Sequence, residues 1–171
     1  MLSLKRTLLI LTLLTSCVGC DQVTKQFART HLALEPPTSW FHDIFRLHYA
    51  ENAGAVLSIG TTLPEEIKIL TFQVIVGTGL IALFIWLLRA QARSYLFVIA
   101  LGLLLAGGTG NLIDRLFHHG RVIDFMNIGI GPLRTGIFNF ADVFITVGGV
   151  ALVWLSYRQE QLTRNRAKLL F

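Results

Sequence analysis

The chain has 171 residues, 53% of them hydrophobic and 15% charged, with a formal net charge of +5 and a mean hydropathy of +0.62. That profile excludes an ordinary soluble domain and a disordered segment, and it belongs to a chain embedded in a bilayer. The basic excess forms no stripe of the kind nucleic acid requires. Lys and Arg gather at short connections and chain ends, as a positive-inside bias arranges them, so no nucleic-acid partner is expected.

Lys5 and Arg6 precede an apolar run that reaches Cys20. One reading is a signal peptide, removed from the mature protein, with Leu14-Thr15-Ser16-Cys17 resembling a lipoprotein cleavage box. The helical pattern, however, continues through Asp21-Gln22-Val23-Thr24-Lys25 into Phe27 and Ala28, which favours a retained membrane helix over 7–28. Asp21 is 15 residues beyond Arg6, about 22 Å along a helix crossing a core about 30 Å thick. It therefore lies in the outer part of the membrane. Lys25, at i+4, can satisfy it as an ion pair, a structural reading with substrate positioning as the alternative. Cys17 and Cys20 have no second pair and no helix–sheet context, so they are expected to be buried, inert thiols.

The stretch 31–40 contains Pro36-Pro37 and reads as surface loop. Ile44, Arg46 and His48 alternate with Phe45, Leu47 and Tyr49, which predicts a strand. Asn52-Ala53-Gly54-Ala55 reads as a turn and Val56-Leu57-Ser58-Ile59 as a second short strand. Thr62 is placed to cap a helix, with Pro64 in its first turn and Glu65 at the third position. Uncharged runs predict spanning helices over 69–88 and 94–115, joined by a short connection bracketed by Arg89 and Arg93. The second of these closes on Gly107-Gly108-Thr109-Gly110-Asn111-Leu112-Ile113-Asp114-Arg115. Its glycines suit close helix packing, as in Ala106-x-x-x-Gly110. A nucleotide loop would need a preceding strand that is not there. Val122-Ile123-Asp124-Phe125 reads as a strand, followed by a turn at Gly129, Gly131 and Pro132. A fourth helix is expected over 139–157, then a basic tail of Arg158, Arg164, Arg166 and Lys168.

The fold expected is an α-helical integral membrane protein, one membrane domain over 1–171 with four transmembrane helices. Segments 31–67 and 117–138 are external, and the Lys/Arg placement puts both termini in the cytoplasm. His31, His42, His48, His118 and His119 all fall in the external segments. The adjacent pair His118-His119 is expected to be solvated, and no metal site is expected.

Carboxylates at membrane depth are costly and are functional candidates by default. Asp114 is 21 residues beyond Arg93, and Asp142 is 16 residues before Arg158. Both lie near the outer face by helical rise, with Asp124 on the segment between their helices. Two carboxylates sharing one proton are the machinery of an aspartic peptidase. A serine or cysteine scheme would need an activating base, and no such constellation is visible. Asp114, next to Arg115 and three residues from Asn111, suits a fixed anion. Asp124 between Ile123 and Phe125, and Asp142 between Ala141 and Val143, have apolar neighbours that favour sharing a proton, so they are the preferred pair. The competing reading is an ion or small-solute transporter using Asp21, Asp114 and Asp142.

Five blocks in order carry a resemblance: Asp21-Gln22-Val23-Thr24-Lys25, Asn52-Ala53-Gly54-Ala55, Gly107 through Arg115, Val122-Ile123-Asp124-Phe125, and Phe138-Asn139-Phe140-Ala141-Asp142. With them the chain resembles signal peptidase II, the lipoprotein signal peptidase family of bacteria. The resemblance implies a four-helix inner-membrane fold with a small extracytoplasmic β-cradle and a short external helix. It implies cleavage of prolipoprotein signal peptides just before a diacylglyceryl-modified cysteine. The substrates would be diacylglyceryl-modified prolipoproteins, met among membrane lipids by a monomer that needs no cofactor. The family's catalytic aspartates fall on Asp124 and Asp142. Asp21, Asn52, Gly54, Asn111, Asp114, Arg115, Asn139 and Ala141 fall on its other motif positions, with Lys25 beside Asp21. Leu57 departs from the aromatic that many members carry near the Asn52 block.

Overall fold

The structure is a computed structural model and describes residues 4–54, 62–89 and 94–168. In chain order it runs α1 (Leu4–His31), β1 (Thr38–Trp40), β2 (Phe45–Asn52), α2 (Glu65–Lys68), a π-helical stretch (Ile69–Ile75), α3 (Val76–Arg89), α4 (Tyr95–Phe117), β3 (Val122–Ile130), β4 (Leu133–Arg134) and α5 (Phe140–Lys168). Four helices are long and apolar enough to cross a membrane: α1, the continuous rod over Glu65–Arg89, α4 and α5. The four expected spans are therefore present. α4 and α5 begin one residue later than expected, at Tyr95 and Phe140, while every other helix end lies further out, because hydropathy stops at the first charges and the helical backbone does not. The basic tail is helical through Lys168, and α1 begins before Thr7 and ends beyond Ala28.

α4 is the centre of the bundle and contacts α1, α3, α5 and β3. Its most apolar window is 44% buried, against 6–11% for the other spans. Their outward residues, such as Leu8, Ile81, Val150 and Val153, stay exposed, as a lipid-facing surface requires. Cys17 is half-buried and Cys20 exposed on α1, so the expectation of buried thiols was wrong. Lipid and protein interior are equally apolar, and the sequence of a membrane helix does not separate the two faces.

Glycines let α4 and α5 touch. A Cβ at Gly107 would meet the Ala141 carbonyl, and one at Gly148 would lie 2.5 Å from the Ala100 oxygen. Gly108 faces Leu80 of α3, and Ala106 is buried as expected. At one end Ile10, Leu87, Val98 and Leu105 form an apolar core. At the other, Ala28 packs with Phe125 and Met126 beneath the sheet.

That sheet is antiparallel, in the order β1-β2-β3-β4. The expected loop before Trp40 includes an edge strand, Thr38–Trp40, which pairs with 45–47. The two prolines sit just before it, where no ladder donor is lost. The β1–β2 connection holds Phe41, His42 and Asp43 at positive φ, between 54° and 69°. Asp43 secures it by accepting from Arg46 Nε at 2.5 Å and from Arg134 Nη1 at 3.3 Å. β2 pairs with β3 through a bulge between Leu47 and Ala50, which sets Ala50 opposite Asp124.

Three further expectations change. Gly129 lies within β3 opposite Arg134, and the turn is made by Gly131, at φ +56°, with Pro132. Thr62 does not cap the second span. Its N-cap is Pro64, extended at ψ 149°, and no side chain caps it. Among the described residues there is no separate external helix, since α2 runs on into the span. The expected strand Val56–Ile59, with Ala55, Leu57 and Arg93, lies outside the described residues.

Candidate active site

The site is built on three buried charges. Lys25 Nζ lies 2.8 Å from Asp21 Oδ2, 2.9 Å from Asp114 Oδ2 and 2.9 Å from Asn111 Oδ1. An ammonium has three hydrogens, and these partners use all of them. Asp21 and Asp114 are fully buried, and Lys25 is 1% exposed. Two carboxylates around one ammonium leave a net negative charge, which N–H donors share. Ala141 N donates to Asp21 Oδ1 at 2.9 Å, Ile123 N to Asp114 Oδ2 at 3.0 Å, and Gln22 Nε2 to Asp114 Oδ1 at 3.0 Å. The cluster thus ties α1, α4, β3 and α5 at one point. Gly110 makes room for it, because a Cβ there would lie 2.5 Å from Asp21 Oδ2.

This corrects one sequence assignment. The Asp21–Lys25 pair is present, but Lys25, and not Arg115, is the ion-pair partner of Asp114. Adjacent residues on a helix point about 100° apart, so Arg115 turns away from its neighbour. It donates from Nη2 to the Gly54 carbonyl at 2.7 Å and from Nη1 to the Asn111 carbonyl at 3.1 Å. Its guanidinium lies 5.1 Å over the Phe72 ring, and its Nε is buried without a partner.

Asp124 and Asp142 meet through Asn139. Asn139 caps α5: its Oδ1 accepts from Asp142 N at 3.0 Å, and Asp142 Oδ2 accepts from Asn139 N at 3.2 Å. This is a capping box with aspartate in the glutamate's place. The amide of the same residue donates from Nδ2 to Asp124 Oδ1 at 2.7 Å. Asn111 Nδ2 donates to Asp142 Oδ1 at 2.9 Å, and Asn52 Nδ2 to Asp124 Oδ2 at 3.2 Å. Asn52 is also a turn residue, accepting from Gly54 N at 2.9 Å.

The two carboxylates differ in surroundings. Asp124 is 3% exposed, while Asp142 is half-buried. Burial pushes the Asp124 carboxyl up to about 7, and the Asp142 charge adds to this against the opposing hydrogen bonds of Asn52 and Asn139. A buried acid that keeps its proton near neutrality, beside a more accessible carboxylate, can divide donor and acceptor roles between them.

All eleven candidate residues lie in this connected network. Sequence reasoning missed Gln22, which also reaches Asp21 Oδ2 at 3.3 Å and the Gly110 carbonyl at 3.2 Å. Its position three residues before Lys25, inside the first motif, was the available signal. It missed Phe72 as well. His118 is not simply solvated: its side chain is 24% exposed, with Nδ1 3.9 Å from Asp114 Oδ1. A cavity of about 340 Å³ beside Arg115 is lined by Glu65, Gln73 and His119 among others, and neither Asp124 nor Asp142 lines it.

The family profile described as signal peptidase (SPase) II matches residues 13–158. The lipoprotein signal peptidase of Leifsonia xyli subsp. xyli is 38% identical over 167 residues, covering 94% of this chain and 73% of the relative. That of Hydrogenovibrio crunogenus is 35% identical over 147 residues, covering 82% and 83%. A bacterial membrane enzyme solved by the in meso method at 2.3 Å resolution superposes with a TM-score of 0.77 at 27% identity, covering 88% of each chain.

Proposed function

The chain belongs to the signal peptidase II family, and on that premise we propose that it is a membrane aspartic endopeptidase. It removes signal peptides from prolipoproteins, cutting before the diacylglyceryl-modified cysteine. The observation that carries the chemistry is Asn139, which holds Asp124 by its side-chain amide and Asp142 by its capping bonds.

Asp142 acts as the base and Asp124 as the acid. A water between them gives its proton to the Asp142 carboxylate, and its oxygen attacks the scissile carbonyl carbon. Asp124 donates its proton to the carbonyl oxygen, giving a neutral tetrahedral diol. On collapse Asp142 returns its proton to the leaving amine, while Asp124 recovers one from the diol hydroxyl. Asn52, Asn111 and Asn139 hold the carboxylate orientations. Asp21, Lys25 and Asp114 position the backbone of β3 and α5, through Ile123 N and Ala141 N. Arg115 ties Gly54, beyond the end of β2, to α4.

The whole chain is one membrane domain with both termini in the cytoplasm and the site near the outer face. The signal helix of the substrate lies among lipids beside the bundle, and the external sheet holds the scissile segment extended by backbone hydrogen bonds. It works as a monomer without a cofactor. Against the transporter reading, two of its three carriers, Asp21 and Asp114, are paired with and held in place by the same Lys25.

The substrate assignment is tested by incubating the purified protein with one prolipoprotein in two forms, with and without the diacylglyceryl group. Mass spectrometry should find a single cut, on the amino side of the modified cysteine, and no cut in the unmodified form. Equal cleavage of both forms would remove the lipid from the recognition.

A further inference from the structure

At the end of the bundle opposite the dyad, α1 carries an arginine with nothing to hold it. Arg6 is only 8% exposed, and its Nε and Nη2 are buried without a hydrogen-bond partner. An unpaired buried guanidinium is costly, so such groups are matched by a counter-charge. Among the described residues none stands there. No Asp or Glu occurs over 1–20 or 67–113, and the carboxylate of the α5 tail, Glu160, already accepts from Arg164 at 2.5 Å.

The surroundings are those of an anion site. Arg6 stands four residues before Ile10, on the same face of α1, and Ile10 packs with Leu87 and Val98. That places Arg6 one turn below this core, toward the ends of α3 and α4. Arg89 closes α3 there, and α4 starts there with Ser94 as its cap. α1 starts at the same end, with Lys5 exposed beside Arg6. The described start of α1, the N-terminus of α4 and three cations, Lys5, Arg6 and Arg89, thus lie at one end of the bundle, and the positive end of a helix dipole favours an anion.

We infer that Arg6, between the first turn of α1 and the α3–α4 ends, binds a phosphate anion, carried by an anionic phospholipid of the facing leaflet or free in solution. A phosphate oxygen pair matches the guanidinium edge, and basic pockets between membrane helices take lipid headgroups in this way. The site is separate from the proteolytic chemistry, since Asp21 lies about 22 Å along α1 from Arg6.

The full-length protein in a neutral detergent tests this by native mass spectrometry and thermal unfolding, with three probes: dioleoylphosphatidylglycerol, dioleoylphosphatidylcholine and inorganic phosphate. Wild type should bind the anionic lipid about tenfold more tightly than the neutral one. Arg6→Gln should lose that preference, and Lys5→Gln should keep most of it. Stabilisation by the anionic lipid alone assigns the lipid as source. Equal, Arg6-dependent stabilisation by inorganic phosphate assigns the free anion. Without ligand Arg6→Gln should be at least as stable as wild type. Equal affinity of wild type for both lipids, with no effect of inorganic phosphate, would overturn the site even if the variant did not fold. So would a preference that survives Arg6→Gln.

Discussion

Lys25 is the residue on which the site's stability turns. Replacing it with methionine leaves two buried carboxylates without a cation and should cost roughly 3–5 kcal/mol, read as a large fall in Tm in detergent. Arg115→Ala leaves the Lys25–Asp114 pair intact and should move Tm much less while lowering activity through the freed Gly54 segment. The same shift from both variants would contradict the separation. Asp124 carries a second prediction. Its folded value, about 7, is raised above the ordinary value of 3.8, so the buried acid is tolerated when protonated, and stability is lost as pH rises from the ordinary carboxylate range to about 7 and levels off above it. Asp124→Asn should therefore stabilise the fold more at pH 8 than at pH 5, by a difference of a few kcal/mol. For the same reason kcat/KM of wild type should fall as pH rises through about 7. A flat profile between pH 6 and 8.5 would take the acid role from Asp124. The sequence made the aspartates legible, because a carboxylate inside an apolar run stands out. It did not make their partners legible. Lys25 and Asp114 are 89 positions apart, whereas Arg115 is adjacent to Asp114, and adjacency was the wrong guide.

At the scale of elements, α5 begins at the proposed dyad. Asn139 both caps the helix and bridges the dyad, and the two roles can be parted. Asn139→Ser keeps a capping oxygen but has no second donor for Asp124. It should lose most activity with a stability change under about 1 kcal/mol, whereas Asn139→Ala should lose both activity and about 1–2 kcal/mol. Full activity in the serine variant would show the bridge to be dispensable. Gly110 tests the packing of α4. Gly110→Ala would press a methyl on Asp21 and should destabilise by about 1–3 kcal/mol. Gly79→Ala, with nothing within 4 Å, should be neutral or stabilise by roughly 0.5–1 kcal/mol. β3 was legible from Val122-Ile123-Asp124-Phe125 because its residues are apolar and β-branched. β1 was not, since three exposed residues after a proline pair carry no alternation, and only pairing with β2 makes them a strand.

For the whole molecule, four spans could be read directly, because two runs of about 20 uncharged residues, and two long apolar stretches broken only by Asp21, Lys25 and Asp142, have few other uses than crossing a bilayer. What could not be read is which face of each span meets protein. Hydropathy reports transfer out of water, and the lipid-facing Ile81 and Val150 score as well as the buried Leu105. Only α4 is enclosed on many sides, and its glycines, asparagine and aspartate mark that enclosure. The arrangement then has a simple logic. Asp21, Lys25 and Asp114 are gathered in one cluster between four elements, and the two carboxylates proposed as the dyad, Asp124 and Asp142, are tied to it through asparagines and backbone amides.

The most direct test of this account is cleavage of a diacylglyceryl-modified prolipoprotein by purified wild type, Asp124→Asn and Asp142→Asn, each shown to be folded by its thermal transition. The account predicts that wild type cuts and that both variants, though folded, lose activity by several orders of magnitude. A folded Asp124→Asn or Asp142→Asn that still cuts at near wild-type rate would contradict the dyad. Loss of cleavage in Asp114→Asn alone, with its fold intact, would move the chemistry to the carboxylate assigned here to structure.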